Sequence, residues 1–160
     1  PNVLFNILIV SPIYVCYVFS FFIINKEINL LLLPFQLFYM YIGTDIFFYT
    51  FHRIAHIPSI YKIVHKKHHE LTAPIGLGAF YCNPLEMILV NLPSVLLPAL
   101  LVNIPFFSIV VYNFFTTINT VVKSHGGYKY LCGFHDIHHE KFNVNYGVGY
   151  FMDKLFNTHN

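Results

Sequence analysis

The chain has 160 residues, of which 56% are hydrophobic and 10% are charged, and its mean hydropathy is +0.59. A soluble globule of this length cannot bury so much apolar surface, so the composition excludes an ordinary soluble domain. The net charge of +2 gives no reason to expect nucleic acid as a partner. We expect one membrane-embedded domain over residues 1–160, and because the chain begins with Pro1 rather than Met, we expect a fragment of a longer protein.

Four apolar runs are long enough to cross a bilayer, since a hydrocarbon core of about 30 Å needs about 20 apolar residues in a helix. Pro34 and Pro84 lie near the starts of the second and third runs, where a proline disrupts a helix least. The link Asn103-Ile104-Pro105 is short enough to predict a tight turn between the last two runs. We therefore predict an all-α integral membrane protein with four transmembrane helices in two hairpins, at about residues 3–24, 30–51, 85–102 and 106–122.

Nine of the ten histidines lie in two segments outside these runs, residues 52–69 and 125–139. Each segment contains a triplet of histidines at positions i, i+3 and i+4, namely His65, His68 and His69 in the first and His135, His138 and His139 in the second. Residues with this spacing share one face of an α-helix. We therefore expect each triplet to converge on a common point, with Ser59 capping a helix from Ile60 to about Glu70 that carries the first triplet. The nine are His52, His56, His65, His68, His69, His125, His135, His138 and His139.

The distribution of basic residues predicts the orientation of these segments in the membrane. Four spans place both histidine segments on the same side, and eight of the nine Lys and Arg residues lie on that side, with Lys26 alone on the other. Because cytosolic loops carry the excess of positive charge, the histidine segments are expected to form a cytosolic cap.

Nine histidines in grouped spacing indicate a metal site and are enough for two ions. Imidazole suits Fe, Zn, Cu and Ni, so the spacing does not name the metal. A structural zinc site would use about four ligands, and the His-Glu-x-x-His string of a metalloprotease is absent from the sequence. A membrane metal transport or storage protein stays open as an alternative, although transporters place their ligands near the bilayer midplane. His159 lies outside every motif and is expected at the surface.

Three further residues are candidates for supporting the histidines. Asp45 and Tyr49 fall on one helical stripe with His52 and His56. An ionisable residue at membrane depth is costly, so we expect Asp45 to have a functional role, such as holding a histidine ring by its second nitrogen. Glu86 lies in the first turn of the third run, where the helix dipole favours an anion.

Taken together, these motifs resemble those of a known superfamily of membrane enzymes. The run Asp45-x-x-x-Tyr49-x-x-His52-Arg53-x-x-His56, followed by His65-Lys66-Lys67-His68-His69-Glu70 and Ala73-Pro74, resembles the fatty acid hydroxylase and sterol desaturase superfamily of membrane di-iron oxygenases. Its C4-methylsterol oxidase and cholesterol 25-hydroxylase branch is the most similar, through His125-Gly126-Gly127-Tyr128, His135-Asp136-Ile137-His138-His139, Phe142-Asn143-x-Asn145-Tyr146-Gly147 and Asp153-x-Leu155-Phe156-x-Thr158.

The resemblance implies that the nine histidines hold two Fe ions, with Zn as a substitute in isolated protein. It further implies O2 as co-substrate and electrons from NAD(P)H through a b-type cytochrome or its reductase. The implied enzyme is multi-pass in the endoplasmic reticulum membrane and hydroxylates or oxidises a sterol or related lipid; a fatty acid or sphingolipid hydroxylase and a sterol desaturase are the alternatives within the superfamily. Family positions that contact substrate or position the histidines are matched by Tyr128, Asn143, Asn145, Tyr146 and Asp153.

Overall fold

The computed structural model describes residues 2–19, 28–72, 75–125 and 134–160, and all regular elements within these ranges are helical. This confirms the all-α prediction. The α-helices are α1 (Asn2–Phe5), α2 (Ser11–Phe19), α3 (Leu33–Ala55), α4 (Pro58–Tyr61), α5 (Pro84–Glu86), α6 (Leu92–Leu101), α7 (Phe106–Asn119), α8 (Phe134–Lys141) and α9 (Phe151–Leu155). Three π-helical segments (Asn6–Val10, Met87–Asn91 and Thr120–Ser124) join or extend them, and His68–Glu70 and Gly76–Phe80 are 3-10 turns.

Two helical stretches are long and apolar enough to cross a membrane, Pro84–Leu101 with a mean hydropathy of 1.7 and Phe106–Ser124 with 1.2. They match the third and fourth predicted spans. The second predicted span corresponds to α3, whose 23 residues are sufficient in length. Polar residues such as Gln36 and Asp45 lower the mean hydropathy of α3, so it is not among the stretches that are apolar enough to qualify as candidate membrane spans. The first predicted span is helical over residues 2–19, and its last residues, 20–24, lie outside the described ranges.

Helix α3 is the element around which the others pack. It lies along α6 and also contacts α7 and α9. A Cβ atom at Gly43 would come within 2.6 Å of Pro98 Cβ, so this glycine allows α3 and α6 to approach closely. A buried apolar cluster fills the space beside this contact, and it consists of Met40, Leu96, Ala99, Ile104, Ile109 and Tyr112.

Three of the four local predictions about helix starts and turns are confirmed. Pro34 lies in the first turn of α3, and α5 begins at Pro84 after Asn83, whose side chain accepts a hydrogen bond from the Leu85 amide. The α6–α7 connection is a tight turn in which Asn103 adopts a φ of 56°.

The predicted helix from Ile60 to Glu70 is wrong. The helix starts earlier, at Pro58, with Ile57 as a residue of extended backbone before it, and Ser59 is not its cap. Proline has the φ angle of a first helical residue already fixed, which explains the earlier start. The helix ends at Tyr61, whose carbonyl accepts from the amides of both His65 and Lys66, so the backbone widens there and then tightens into the 3-10 turn.

Candidate metal centre

All nine predicted histidines meet at one end of the bundle, in two adjacent groups. Within each group the candidate ligand nitrogens all lie within 4.8 Å of one another. The groups touch, since the His135 and His138 ring centroids are 4.9 Å apart. The five-histidine group consists of His52, His56, His65, His69 and His138, and the four-histidine group of His68, His125, His135 and His139. The tenth histidine, His159, is exposed, as predicted.

The two triplets do not each converge on one point, which corrects that expectation. Each triplet divides between the groups: the i and i+4 histidines of a triplet share a group, and the i+3 histidine joins the other one. On α8, for example, His135 and His139 point to the four-histidine group and His138 to the five-histidine group. Successive helical positions differ by about 100° around the axis, so the i+3 and i+4 rings diverge.

The Nε2 atoms of the five-histidine group lie at the separations expected for ligands of one ion. His65 Nε2 is 2.9 Å from His52 Nε2, 3.1 Å from His56 Nε2 and 2.9 Å from His69 Nε2. His138 Nε2 is 3.0 Å from His56 Nε2 and 3.3 Å from His69 Nε2. Two nitrogens that bind a metal at about 2.1 Å and at right angles to each other are about 3 Å apart.

Hydrogen bonds on the far side of these rings show that the convergent nitrogens carry lone pairs. His52 Nδ1 is 2.7 Å from the Tyr146 carbonyl oxygen and His138 Nδ1 is 2.7 Å from the Val144 carbonyl oxygen. Because a carbonyl oxygen only accepts, each of these Nδ1 atoms donates its proton outward. Their Nε2 atoms therefore carry lone pairs and point into the group, 2.9 Å from His65 Nε2 and 3.0 Å from His56 Nε2 respectively. Lone pairs gathered this closely are stabilised by a cation between them. The donor set therefore fits a metal ion.

The four-histidine group has the same construction with longer outer contacts. His68 Nε2 lies 3.3 Å from His135 Nε2 and 3.0 Å from His139 Nε2. On the outer side, His68 Nδ1 contacts the Tyr81 carbonyl oxygen at 3.3 Å and His125 Nδ1 contacts the Thr120 carbonyl oxygen at 3.2 Å. No carboxylate touches this group among the residues that the structure describes.

Burial keeps the imidazoles neutral, which is the form that binds metal. Removal from water disfavours the charged ring, and neighbouring histidines add repulsion. Burial lowers the pKa of His56 and His139 to about 4 and that of His68 and His125 to about 3. It also lowers the pKa of the remaining five, His52, His65, His69, His135 and His138.

Asp45 supports the site in a different way from the one predicted. Its carboxylate does not hold a histidine ring; Oδ1 accepts from the Gly149 amide at 2.8 Å and Oδ2 from the Met152 amide at 2.9 Å. Asp153 accepts from the amides of Tyr146 and Gly147 at 2.9 and 2.7 Å. Asp45 thus joins α3 to the C-terminal loop, residues 142–150, and to α9, and Asp153 joins this loop to α9. This loop supplies the carbonyl that holds His52.

The same loop also supplies the carbonyl that holds His138. His138 Nδ1 donates to the Val144 carbonyl oxygen at 2.7 Å. The next residue, Asn145, is fully buried at a φ of 55° and donates from its amide to the Phe134 carbonyl oxygen, which joins the loop to the start of α8. Backbone carbonyls that hold histidine rings in this way leave no signal in the sequence, because any residue type can provide them.

Of the other residues predicted to support the histidines, those that the structure describes lie at different distances from the two groups. Tyr49 is buried, stacks on Phe156 at a centroid distance of 5.4 Å and receives a hydrogen bond from Arg53. The Tyr146 ring lies 5.2 Å from the His56 ring. Asn143 is exposed, and Tyr128 lies outside the described residues.

A cavity of about 1240 Å³ leads from the histidines into the helix bundle. Ligand pockets commonly measure about 300–1,000 Å³, so this one is large enough for a lipid. It is lined by histidines of both groups, namely His52, His65, His68, His125 and His135, and by Glu86. Phe48 also lines it and packs its ring 5.1 Å from His52. Sequence reasoning missed Phe48 because one more phenylalanine in an apolar run carries no distinguishing signal.

Comparison with known proteins identifies relatives of this chain. The fatty acid hydroxylase family model matches residues 37–158, which include all nine histidines. The human fatty acid hydroxylase domain-containing protein 2 is 41% identical over 118 residues, covering 71% of this chain and 35% of the human protein. The fatty acid hydroxylase ahd1 of Mycosarcoma maydis is 43% identical over 120 residues, covering 71% of this chain and 30% of that protein.

A zebrafish relative carries a different name. Methylsterol monooxygenase 1 of Danio rerio is 33% identical over 129 residues, covering 71% of this chain and 43% of the zebrafish protein. The chain therefore spans between about a third and a half of the length of these relatives. No solved structure gives a significant match.

Proposed function

Because this chain belongs to the fatty acid hydroxylase family, we propose that it is an O2-dependent di-iron oxidoreductase that hydroxylates or oxidises a sterol or related lipid. The single observation that carries the proposal is the division of nine histidines into two adjacent groups of convergent nitrogens. Iron bound there would supply the activation of O2 for oxidation of an unactivated C–H bond, which side chains alone do not achieve. The family match and the named relatives support the lipid as substrate class.

Each part of the chain has a defined task in this proposal. His52, His65 and His138 would hold one iron with their outer nitrogens fixed by Tyr146, Glu86 and Val144, and His56 and His69 would complete that group. The four-histidine group would hold the second iron. The cavity would bring the apolar part of the lipid to both groups and exclude water from them.

The proposed setting is the endoplasmic reticulum membrane, with four spans and the histidine groups on the cytosolic face. The two apolar helices and the eight-to-one distribution of basic residues support this arrangement. Electrons would come from NAD(P)H through a b-type cytochrome or its reductase, which reaches the site from the cytosol.

Metal analysis of the purified chain tests the di-iron proposal. We expect close to two iron ions per chain, with zinc replacing iron in preparations that take it up. His138→Ala removes a ligand of the five-histidine group and His68→Ala one of the four-histidine group. Each variant should insert into the membrane normally but lose lipid oxidation. One ion per chain or none, or full turnover in either variant, would contradict the proposal.

A metal transport or storage protein is separated from an oxygenase by one further assay. The oxygenase consumes O2 in the presence of NAD(P)H, its electron donor and lipid, whereas transport has no use for this coupling. Supplying sterols, fatty acids and sphingolipids in turn then identifies the lipid class.

A further inference from the structure

One wall of the cavity carries a polar stripe, which consists of Asn113, Thr116, Thr117 and Thr120. These residues follow the spacing i, i+3, i+4 and i+7 and therefore share one face of α7 and its π-helical extension. The stripe begins beside the histidine groups, because the Thr120 carbonyl holds His125, and it runs about 10 Å along the cavity. The other walls are mostly apolar, with Ile7, Val15, Leu37, Leu92, Val95 and Leu96.

Two side chains of the stripe, Asn113 and Thr117, have hydrogen-bonding groups that are available to a ligand. In the described part of the chain, neither the Asn113 amide nor the Thr117 hydroxyl makes a side-chain hydrogen bond to another residue. Asn113 is half-buried and Thr117 is exposed, and both line the cavity. They lie in the middle of Phe106–Ser124, one of the two stretches apolar enough to span a membrane. An unpaired polar group at membrane depth is unfavourable, and polar residues there are expected to meet a partner in the bundle or in a cavity.

We propose that the polar stripe is a specificity element that binds a hydroxyl group carried on an otherwise apolar lipid. This inference rests on the proposed function, since it describes which lipid the oxygenase prefers. A plain hydrocarbon of the same shape would leave Asn113 and Thr117 without hydrogen-bond partners, whereas a hydroxylated lipid donates to or accepts from them.

A binding experiment with two lipids of the same skeleton tests the proposal. Iron-loaded full-length chain in lipid nanodiscs is equilibrated with tritiated cholesterol, which is displaced by unlabelled cholesterol or by cholest-5-ene, which differs from it only in lacking the hydroxyl. One or two hydrogen bonds predict that cholesterol binds about tenfold more tightly than cholest-5-ene. Asn113→Leu combined with Thr117→Val, which keeps the side-chain volumes close, should reduce this ratio to about one and leave cholest-5-ene binding unchanged.

Thr50→Val is the matched control, because it removes a hydroxyl from an exposed position of α3 outside the cavity. It should preserve the tenfold preference, and iron content per chain should be the same in all variants. Equal binding of the two lipids by the unmodified chain, a preference that survives the double substitution, or no saturable binding at all would each overturn the proposal. Because binding needs no turnover, an inactive chain that keeps the hydroxyl preference would contradict the oxygenase and leave the polar stripe supported.

Discussion

At the scale of single residues, the Glu86 side chain touches a histidine ring. Its Oε1 atom lies 3.0 Å from His65 Nδ1, and both side chains are almost completely buried. A carboxylate behind a ligating imidazole fixes the ring and raises its basicity, and loss of such a partner commonly costs about 10- to 100-fold in metal affinity. We therefore predict that Glu86→Ala weakens iron binding to the five-histidine group by about this factor, as measured by titration against a chelator.

Glu140→Ala provides the control for this substitution. Glu140 is an exposed carboxylate next to His139 on α8, so its removal changes the net charge by the same amount without touching a ring. An equal loss of iron in both variants would show that charge, not the contact with His65, is responsible.

The neutral histidines also predict a pH dependence for the metal-free protein. The folded-state pKa of His68 and His125 is about 3 and that of His56 and His139 about 4, all below the value of about 6.5 for an exposed histidine. Between these values the unfolded chain binds more protons than the folded chain, so the free energy of unfolding falls as the pH falls. Unfolding midpoints should therefore be constant above about pH 7 and decrease below about 6.5. A midpoint that is unchanged between pH 7 and 5 would contradict the buried neutral rings.

At the scale of elements, Asp45 joins α3 to the C-terminal loop. Asp45→Ala leaves the buried amides of Gly149 and Met152 without an acceptor, and hydrogen bonds to a charged group contribute about 1.5–3 kcal/mol each. We predict a loss of about 3 kcal/mol in unfolding free energy together with lower iron content, because the loop carries the carbonyls that orient His52 and His138. Asp45→Asn, which keeps one acceptor oxygen, should lose less. Normal iron content in Asp45→Ala would show that the loop does not position the ligands.

Individual elements show how far the sequence alone reaches. Helix starts at Pro34 and Pro84 and the turn at Asn103 are local features, because proline geometry and a short polar link determine them without long-range contacts. The gathering of nine histidines is also predictable from their spacing and from the two predicted spans between the histidine segments, because two crossings return the chain to the same side. Their division into five and four is not, because it depends on how α3, α8 and the 3-10 turn at His68 are rotated against one another. The task of Asp45 is likewise a contact across more than a hundred residues.

At the scale of the whole molecule, the arrangement across the membrane decides whether both histidine segments can form one centre. They meet in the structure, so residues 52–69 and 134–141 must lie on the same side. In the proposed arrangement Pro84–Leu101 and Phe106–Ser124, which are long and apolar enough to span a membrane, each cross once, and the α6–α7 turn at Asn103 then lies at the opposite side. The distribution of basic residues supports the proposal that the histidine side is cytosolic.

Single cysteines at exposed positions test this arrangement in sealed microsomes, whose outer face is cytosolic. Lys66→Cys beside the first triplet and Lys141→Cys at the end of α8 should react with a membrane-impermeant maleimide, while Asn103→Cys should react only after the membrane is permeabilised. The unmodified chain, with its exposed Cys16, gives the background. Labelling of Asn103→Cys in sealed vesicles would contradict the two crossings. Labelling of Lys66→Cys and Lys141→Cys only after permeabilisation would instead reverse the orientation and leave the number of crossings intact.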